Sequence, residues 1–371
     1  MIKVCHMTSA HAPEDVRIFH KECASLAAAG YDVYLVAHGE SYEKNGVHIV
    51  GIGAKPQGRL SRMTQSAKRV YQKALELDAD LYHFHDPELL PYGLKLKRKE
   101  KKVVFDSHEM YTAQIRNKTY LPRWCANIIA WVYGMYEHTV LKRLDGLIFP
   151  CLKDGKHPFA GKCNRVVTVD NVPMLHELYD HYDPAVEKQT NSIVHVGSLS
   201  YARGITHMVK AADKAGCTAY LAGAFSPSTY QAELEALEEY RAVQYLGKLD
   251  RAGVRNVLQS AEVGMATLLN IGQYNQYDNL ATKIYEYMSL GLPVVLTRAP
   301  YNEKIIQRLQ FGICVDPENV DEIAAAIRYL LDHPEEARQM GENGRRAIKE
   351  EFNWDVEKEK LLSLYQDILN A

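Results

Sequence analysis

Short apolar runs alternate with helix-patterned stretches along almost all of a 371-residue chain, and this alternation limits the fold more than any other feature. Ile2–Met7 reads as a buried strand, Val16–Ala29 as a helix with Phe19, Cys23 and Leu26 at helical spacing, and Tyr31–Ala37, after Gly30, as the next strand. Further strands are expected at Val47–Ile52, Leu81–Phe84, Val103–Asp106 and Gly146–Pro150, separated by a basic helix over about 60–77, a helix from Glu88 and a long helical region to Leu144. Strands alternating with helices build a parallel sheet covered by helices. Between Val172 and Asn191 the pattern lapses into a polar stretch with two prolines. A second series follows, with strands at Ile193–Gly197, Ala219–Gly223, Val243–Leu246, Val263–Thr267, Pro293–Thr297 and Gly312–Asp316. The expected fold class is α/β, two Rossmann-like domains facing a central cleft. Its domains are residues 1–171 and 192–353, joined by a linker at 172–191, with a C-terminal helix at about 354–371 as a candidate to pack back onto the first domain.

Composition excludes several function classes. Lys+Arg 44 against Asp+Glu 46 leaves no basic field for nucleic acid, so an anionic ligand must be held locally. The seven cysteines form no C-x-x-C pair and no zinc-type Cys/His spacing, as expected of free thiols in a reducing cytoplasm. A strand starting at Ile2 leaves no room for a signal peptide, and the apolar stretch Cys125–Tyr136 is too short to span a bilayer.

Ligands of open parallel sheets sit beyond the carboxyl ends of the strands. The first such loop, Thr8 to Asp15, has no glycine, which counts against a dinucleotide cofactor; a P-loop and a G-x-S-x-G elbow are also absent. The richest segment is Tyr277 to Val295. Asp278 falls where a helix is expected to begin and Glu286 lies inside it, ~12 Å further along the axis and roughly 80° around it. That span suits the two ends of a nucleotide sugar. The N–H groups near Asn279, Leu280 and Thr282, with Lys283 in the first turn, suit the diphosphate between them. Each residue has a plainer reading: Asp278 as an N-cap, Lys283 as a solvated lysine, Arg203 as the start of a surface helix. For Glu286, a carboxylate within an apolar helix is costly unless paired or facing a ligand. His108, His85 and Asp86 follow strands, and Asp15 and Arg17 end the first loop, where they cap a helix or meet an acceptor. Asp78-Ala79-Asp80 resembles a metal-binding D-x-D but precedes a strand, at the wrong sheet edge, so no metal is expected.

The run Glu286-Tyr287-Met288-Ser289-Leu290-Gly291-Leu292-Pro293-Val294-Val295 closely resembles the hallmark of glycosyltransferase family four, retaining sugar transferases of the GT-B fold. The resemblance takes in His195 to Leu199, Arg203-Gly204, Leu221 to Gly223, Leu246-Gly247 and Phe352 to Trp354. In the first half it takes in Arg17 to Glu22 and Asp106 to Glu109. It implies an acceptor-binding first domain and a donor-binding second one, and no cofactor. By it, Glu286 accepts the ribose hydroxyls, Asp278 faces the donor hexose, and His108 approaches that sugar from the opposite domain. Arg203 and Lys283 take the diphosphate, beside Gly197 and Ser198, and Gly247-Lys248-Leu249 lies near the base. The chain departs from the family in having Asp278 for Glu and Ser198 for a phosphate-binding Arg, which shifts phosphate duty to Arg203, Lys283 and backbone amides.

Two basic regions suggest peripheral contact with an anionic membrane. Arg59, Arg62, Lys68, Arg69 and Lys73 share one expected helix, and the 115–143 region mixes Arg116, Lys118, Arg123, Lys142 and Arg143 with Trp124, Trp131 and Tyr133. The expected activity is metal-independent, retaining transfer of a hexose from a nucleotide sugar to a glycan or lipid-linked acceptor, in the cytoplasm or at the inner membrane face. A nucleotide-sugar epimerase on the same architecture and a non-catalytic binding subunit are the alternatives.

Overall fold

The structure is a computed structural model that describes residues 1–58, 61–118 and 121–371. It divides into two compact units, Met1–Asn171 with Asp355–Ala371, and Val172–Trp354.

The first unit is built on an eight-stranded sheet: β1 (Lys3–Met7), β2 (Asp32–Ala37), β3 (Tyr42–Lys44), β4 (Val47–Gly51), β5 (Leu81–Phe84), β6 (Lys102–Asp106), β7 (Gly146–Phe149) and β8 (Val166–Thr168). Its order is β3-β4-β2-β1-β5-β6-β7-β8, parallel apart from β3. The inner six strands reproduce the Rossmann order, whose switch point falls between β1 and β5. β3 and β8, three residues each with none buried, are not among the expected strands. β3 nevertheless has a signal in Asn45-Gly46, whose positive φ angles of 51° and 72° close the hairpin to β4. The helix expected at Val16–Ala29 opens as a wide i→i+5 turn over Val16–Cys23 and continues as an α-helix over Ala24–Ala28. The long helix is Arg123–Leu141. The closing helix Trp354–Leu369 runs into this unit, and its Leu364 and Ile368 pack against Gly146, where a Cβ would meet Ile368 Cδ1 at 2.8 Å.

The second unit is a six-stranded parallel sheet: β9 (Ser192–Val196), β10 (Thr218–Ala222), β11 (Val243–Tyr245), β12 (Val263–Ala266), β13 (Val294–Thr297) and β14 (Gly312–Val315), in the order β11-β10-β9-β12-β13-β14. This is again the Rossmann order. The stretch 172–191, expected as a linker, belongs to this unit. Val172 and Leu178 are buried in its core with Leu290 and Phe311, and the rings of Tyr179 and Tyr182 lie 4.0 and 4.1 Å from the Arg345 guanidinium. Few but well-spaced apolar and aromatic residues suffice to anchor a segment that reads as polar.

All seven cysteines are free thiols. Among the described residues no helix is long and apolar enough to cross a membrane.

Candidate active site

In the second unit the loops after β9, β10 and β11 lie side by side. Gly223 N donates to Gly247 O at 2.7 Å and Gly197 N to Ala222 O at 2.9 Å. Gly197 and Gly223 have φ of 130° and 144°, and a Cβ on Gly223 would stand 1.7 Å from Gly197 O, so only glycine allows this approach. The missing side chain at Gly197 opens the backbone toward Lys283: a Cβ there would lie 3.7 Å from its Nζ.

Lys283 is the centre of this site. It sits in the first turn of the helix Thr282–Ser289 and is only 4% exposed. Its amino group donates to His195 Nε2 at 2.8 Å, while His195 Nδ1 donates to Met265 O at 3.0 Å, which fixes a neutral imidazole as the lysine's partner. Burial, reinforced by the Arg203 charge and opposed by Glu286, holds the Lys283 pKa well below its ordinary value. Arg203 closes a short turn, Tyr201–Arg203, with its guanidinium 5.6 Å from the Tyr274 ring. The next residue, Gly204, has φ 75° and approaches Thr267 O so closely that a Cβ would overlap it at 1.9 Å. Two neighbouring cations, one buried against a neutral base, make a pocket that favours an anion.

Glu286 lies on the same helix, half-buried, and accepts from Arg251 Nη1 at 2.9 Å; Arg251 Nη2 also stands 3.5 Å from Glu177 Oε2. The carboxylate is therefore paired, which removes the cost expected of a lone charge there. Asp278 is not at the helix start. The cap is Ala281, in extended backbone, and Leu280 before it is drawn into the core. The expected 12 Å spacing along one helix axis does not hold, and the unpartnered helix amides move from Asn279 and Leu280 to Thr282 and Lys283. Asn279, Ser198 and Leu249 are half-buried and Lys248 is exposed.

In the first unit a buried ionic group lies beyond β1, β5 and β6. Asp106 accepts from Arg17 Nε at 2.8 Å and Nη2 at 3.2 Å, and His108 Nε2 stands 3.2 Å from it. Burial opposes the Asp106 charge, yet Arg17 and His108 hold its carboxyl well below the usual range. Arg17 also donates to Val169 O and lies 3.1 Å from Glu22 Oε1. Residues five apart stand ~140° apart on an α-helix. The i→i+5 turn over Val16–Cys23 brings Arg17 and Glu22 back to one face. Arg17, read from sequence as capping a helix or meeting an acceptor, is buried and paired here, and it also lines the cavity beside His108. His85 is likewise fully buried, 3.6 Å from Asp106. Asp86 is buried too and ties down the loop after β1, accepting from Thr8 Oγ1, Ser9 N and Ala10 N. Neither stands open to an acceptor. Asp15 caps its helix through Arg17 N and Ile18 N, and with His108, Pro150 and Asn171 it lines a cavity of about 200 Å³. Asp78 pairs with Lys101, and Asp80 accepts from Lys3 N at the amino edge of the sheet.

Two family models match this chain: "Glycosyl transferases group 1" over residues 180–347 and "Glycosyltransferase Family 4" over residues 16–153. The chain belongs to the group 1 and family 4 glycosyltransferases. A curated relative, the MMP alpha-(1->4)-mannosyltransferase of Mycolicibacterium hassiacum, is 33% identical over 113 residues, 30% of this chain and 25% of that protein. The match therefore spans about a quarter of that relative's length. Sucrose-phosphate synthase from Thermosynechococcus elongatus superposes with a TM-score of 0.75 at 16% identity, covering 100% of both chains. The Anabaena protein HepE, solved with UDP and glucose, gives 0.69 at 13% identity, covering 99% of this chain and 100% of that one. These likenesses give the glycosyltransferase its fold, GT-B, with two parallel-sheet α/β domains. Within it, Lys283, Arg203, Gly197 and Glu286 come together in the second unit. Three further residues of this glycosyltransferase, His195, Arg251 and Asp106, are partners that sequence reading assigned no role. His195 and Asp106 had a signal in their place at strand ends next to Gly197 and His108; Arg251 had none.

Proposed function

We propose that this glycosyltransferase moves a hexose from a nucleotide sugar to a glycan or lipid-linked acceptor, with retention and without a catalytic metal. The observation that carries the reading is the Lys283 and Arg203 pair beside the open backbone of Gly197. A diphosphate placed there meets two cations and the first amides of the helix Thr282–Ser289, and these stabilise the charge that grows on the nucleotide as the glycosidic bond loosens. Glu286 accepts the ribose hydroxyls, its orientation held by Arg251. Asp278 faces the hexose, and Gly247, Lys248 and Leu249 lie toward the base. The acceptor hydroxyl attacks from the leaving-group face and passes its proton to a donor phosphate oxygen, so no enzyme nucleophile is required. The UDP bound by the Anabaena neighbour and the mannosyl transfer named for the mycobacterial relative support the substrate class.

The first unit is read as the acceptor domain, its cavity bounded by Asp15, Asn171 and His108. Membrane contact would come through the helix Arg123–Leu141, where Trp124 (68% exposed), Ile128, Trp131 (61% exposed) and Met135 form an outward stripe near the exposed Arg123, Lys142 and Arg143. Tyr133 is not part of that stripe, since its hydroxyl is buried. The exposed Lys68, Arg69 and Lys73 lie on a second helix; Arg59 and the Arg62 side chain fall outside the described residues.

Glu286→Gln tests the reading. Loss of the ionised acceptor of ribose should lower kcat/KM by roughly 10–100-fold, the cost of one charged hydrogen bond. Unchanged transfer by that variant would remove Glu286 from the donor site. Conversion of a nucleotide hexose without any acceptor would favour the epimerase instead.

A further inference from the structure

Four side chains of the first unit converge on a point that sugar transfer does not use. His6 in β1 and His83 in β5 are direct register partners, His85 follows β5, and Glu22 projects from the wide turn Val16–Cys23. All four are fully buried, and one nitrogen or oxygen from each lies within 4.8 Å of the others. His6 Nδ1 is 3.0 Å from His85 Nε2, and Glu22 Oε2 is 4.0 Å from both His83 Nε2 and His85 Nε2. Ligands placed tetrahedrally around zinc at bond lengths of ~2.0–2.1 Å stand ~3.4 Å apart, inside that range.

Hydrogen bonds satisfy this group only in part, through the His6–His85 contact. His83 Nε2 and Glu22 Oε2 have no hydrogen-bond partner among the described residues, and both face the common point. The opposite ring nitrogens are engaged. His6 Nε2 and His83 Nδ1 reach the Tyr365 hydroxyl oxygen at 3.1 and 2.7 Å, and His85 Nδ1 faces Asp106 Oδ2 at 3.6 Å and His108 Nε2 at 3.3 Å. A phenol hydroxyl accepts from one imidazole and donates to the other, or accepts from both once a cation holds their inner nitrogens. With a cation at the centre each ring would carry its proton on the outer nitrogen and turn a lone pair inward, with hydroxyl and carboxylate partners behind, as in metal-bound histidines; without one, His6 Nδ1 and His85 Nε2 share a hydrogen bond. Burial and the neighbouring Asp106 push the Glu22 carboxyl pKa up, and a bound cation would take the place of that proton.

We propose that His6, Glu22, His83 and His85 form a closed, four-coordinate zinc(II) site. Three imidazoles and one carboxylate select a borderline cation over magnesium or calcium, which take oxygen ligands. With every position filled by protein, the ion offers no open site to substrate. It ties β1, β5 and the Val16–Cys23 turn together and, through His85, holds Asp106 and His108 in place. The closing helix contributes Tyr365 to its outer shell.

The test is the metal content of the full-length protein isolated from zinc-supplemented cells, because a buried site loads as the unit folds. The expected result is close to one zinc per chain in the parent, falling to below about a fifth of that in His83→Gln and Glu22→Gln. Should those variants fail to fold, parent protein from cobalt-supplemented cells decides. It should show the visible d–d absorption of tetrahedral cobalt bound by nitrogen and oxygen. Parent protein holding no stoichiometric zinc and no such band would overturn the site, as would full zinc content in a folded His83→Gln.

Discussion

Lys283 shows how one residue's surroundings set its chemistry. Its pKa is depressed by burial and by Arg203, so the empty site holds its proton weakly. A bound diphosphate favours the charged ammonium and raises that pKa. Donor binding should therefore take up a proton at pH values between the empty-state and bound-state pKa, and affinity should fall as pH rises through that window. Calorimetry in buffers of different ionisation enthalpy measures the uptake, which should vanish in Lys283→Met. Arg17 poses a stability question instead. Removing its guanidinium as Arg17→Met leaves Asp106 and Glu22 buried together without it, and denaturant unfolding of the first unit should lose about 3–5 kcal/mol. The sequence made the types of these residues legible, but not their partners. Asp278 and Glu286 were readable as a carboxylate pair; that Asp278 precedes the helix, and that Leu280 enters the core, are tertiary facts.

Two elements depart from their sequence pattern, and both departures serve the sites. Val16–Cys23 reads as an ordinary amphipathic helix, since its apolar residues fit the α period; the burial of Arg17 and Glu22 on one face is what widens the turn. The loops after β9 and β10 are set by glycine alone. Gly223→Ala would force a Cβ against Gly197 O from a φ of 144°, at a cost of roughly 1–3 kcal/mol. A lower melting temperature together with weaker nucleotide binding would be the signature of that clash. The helix Arg123–Leu141 is the converse case, where mixed aromatic and basic residues were legible and the outward stripe is exposed. The double substitution Trp124→Ser with Trp131→Ser should weaken binding to anionic vesicles at least about tenfold, measured by co-sedimentation, with little effect on binding to a nucleotide alone.

At the scale of the whole molecule, periodicity located twelve of the strands but not their order, because strand order is set by crossovers and not by the runs themselves. The closing segment is the sequence's own candidate to pack back onto the first domain. Asp355–Ala371 belongs to the first unit although the chain leaves the second to reach it, and it buries Leu361, Leu364, Tyr365 and Ile368. At roughly 1.5–3 kcal/mol for each buried large side chain, their loss rivals the ~5–15 kcal/mol net stability of a domain. A chain ending at Trp354 should therefore lose the first unit to limited proteolysis while a fragment beginning near Val172 survives. Equal resistance of both units would show that the segment is dispensable.

The central claim is that the second unit holds a nucleotide diphosphate between Lys283, Arg203 and the open backbone at Gly197. Thermal unfolding of the parent and of Lys283→Met with UDP-, GDP-, ADP- and dTDP-sugars tests it most directly. A matching donor at about 100 times its Kd should raise the parent's melting temperature by roughly 5–10 °C and leave Lys283→Met nearly unmoved. No shift with any donor, or the same shift in both proteins, would contradict the account.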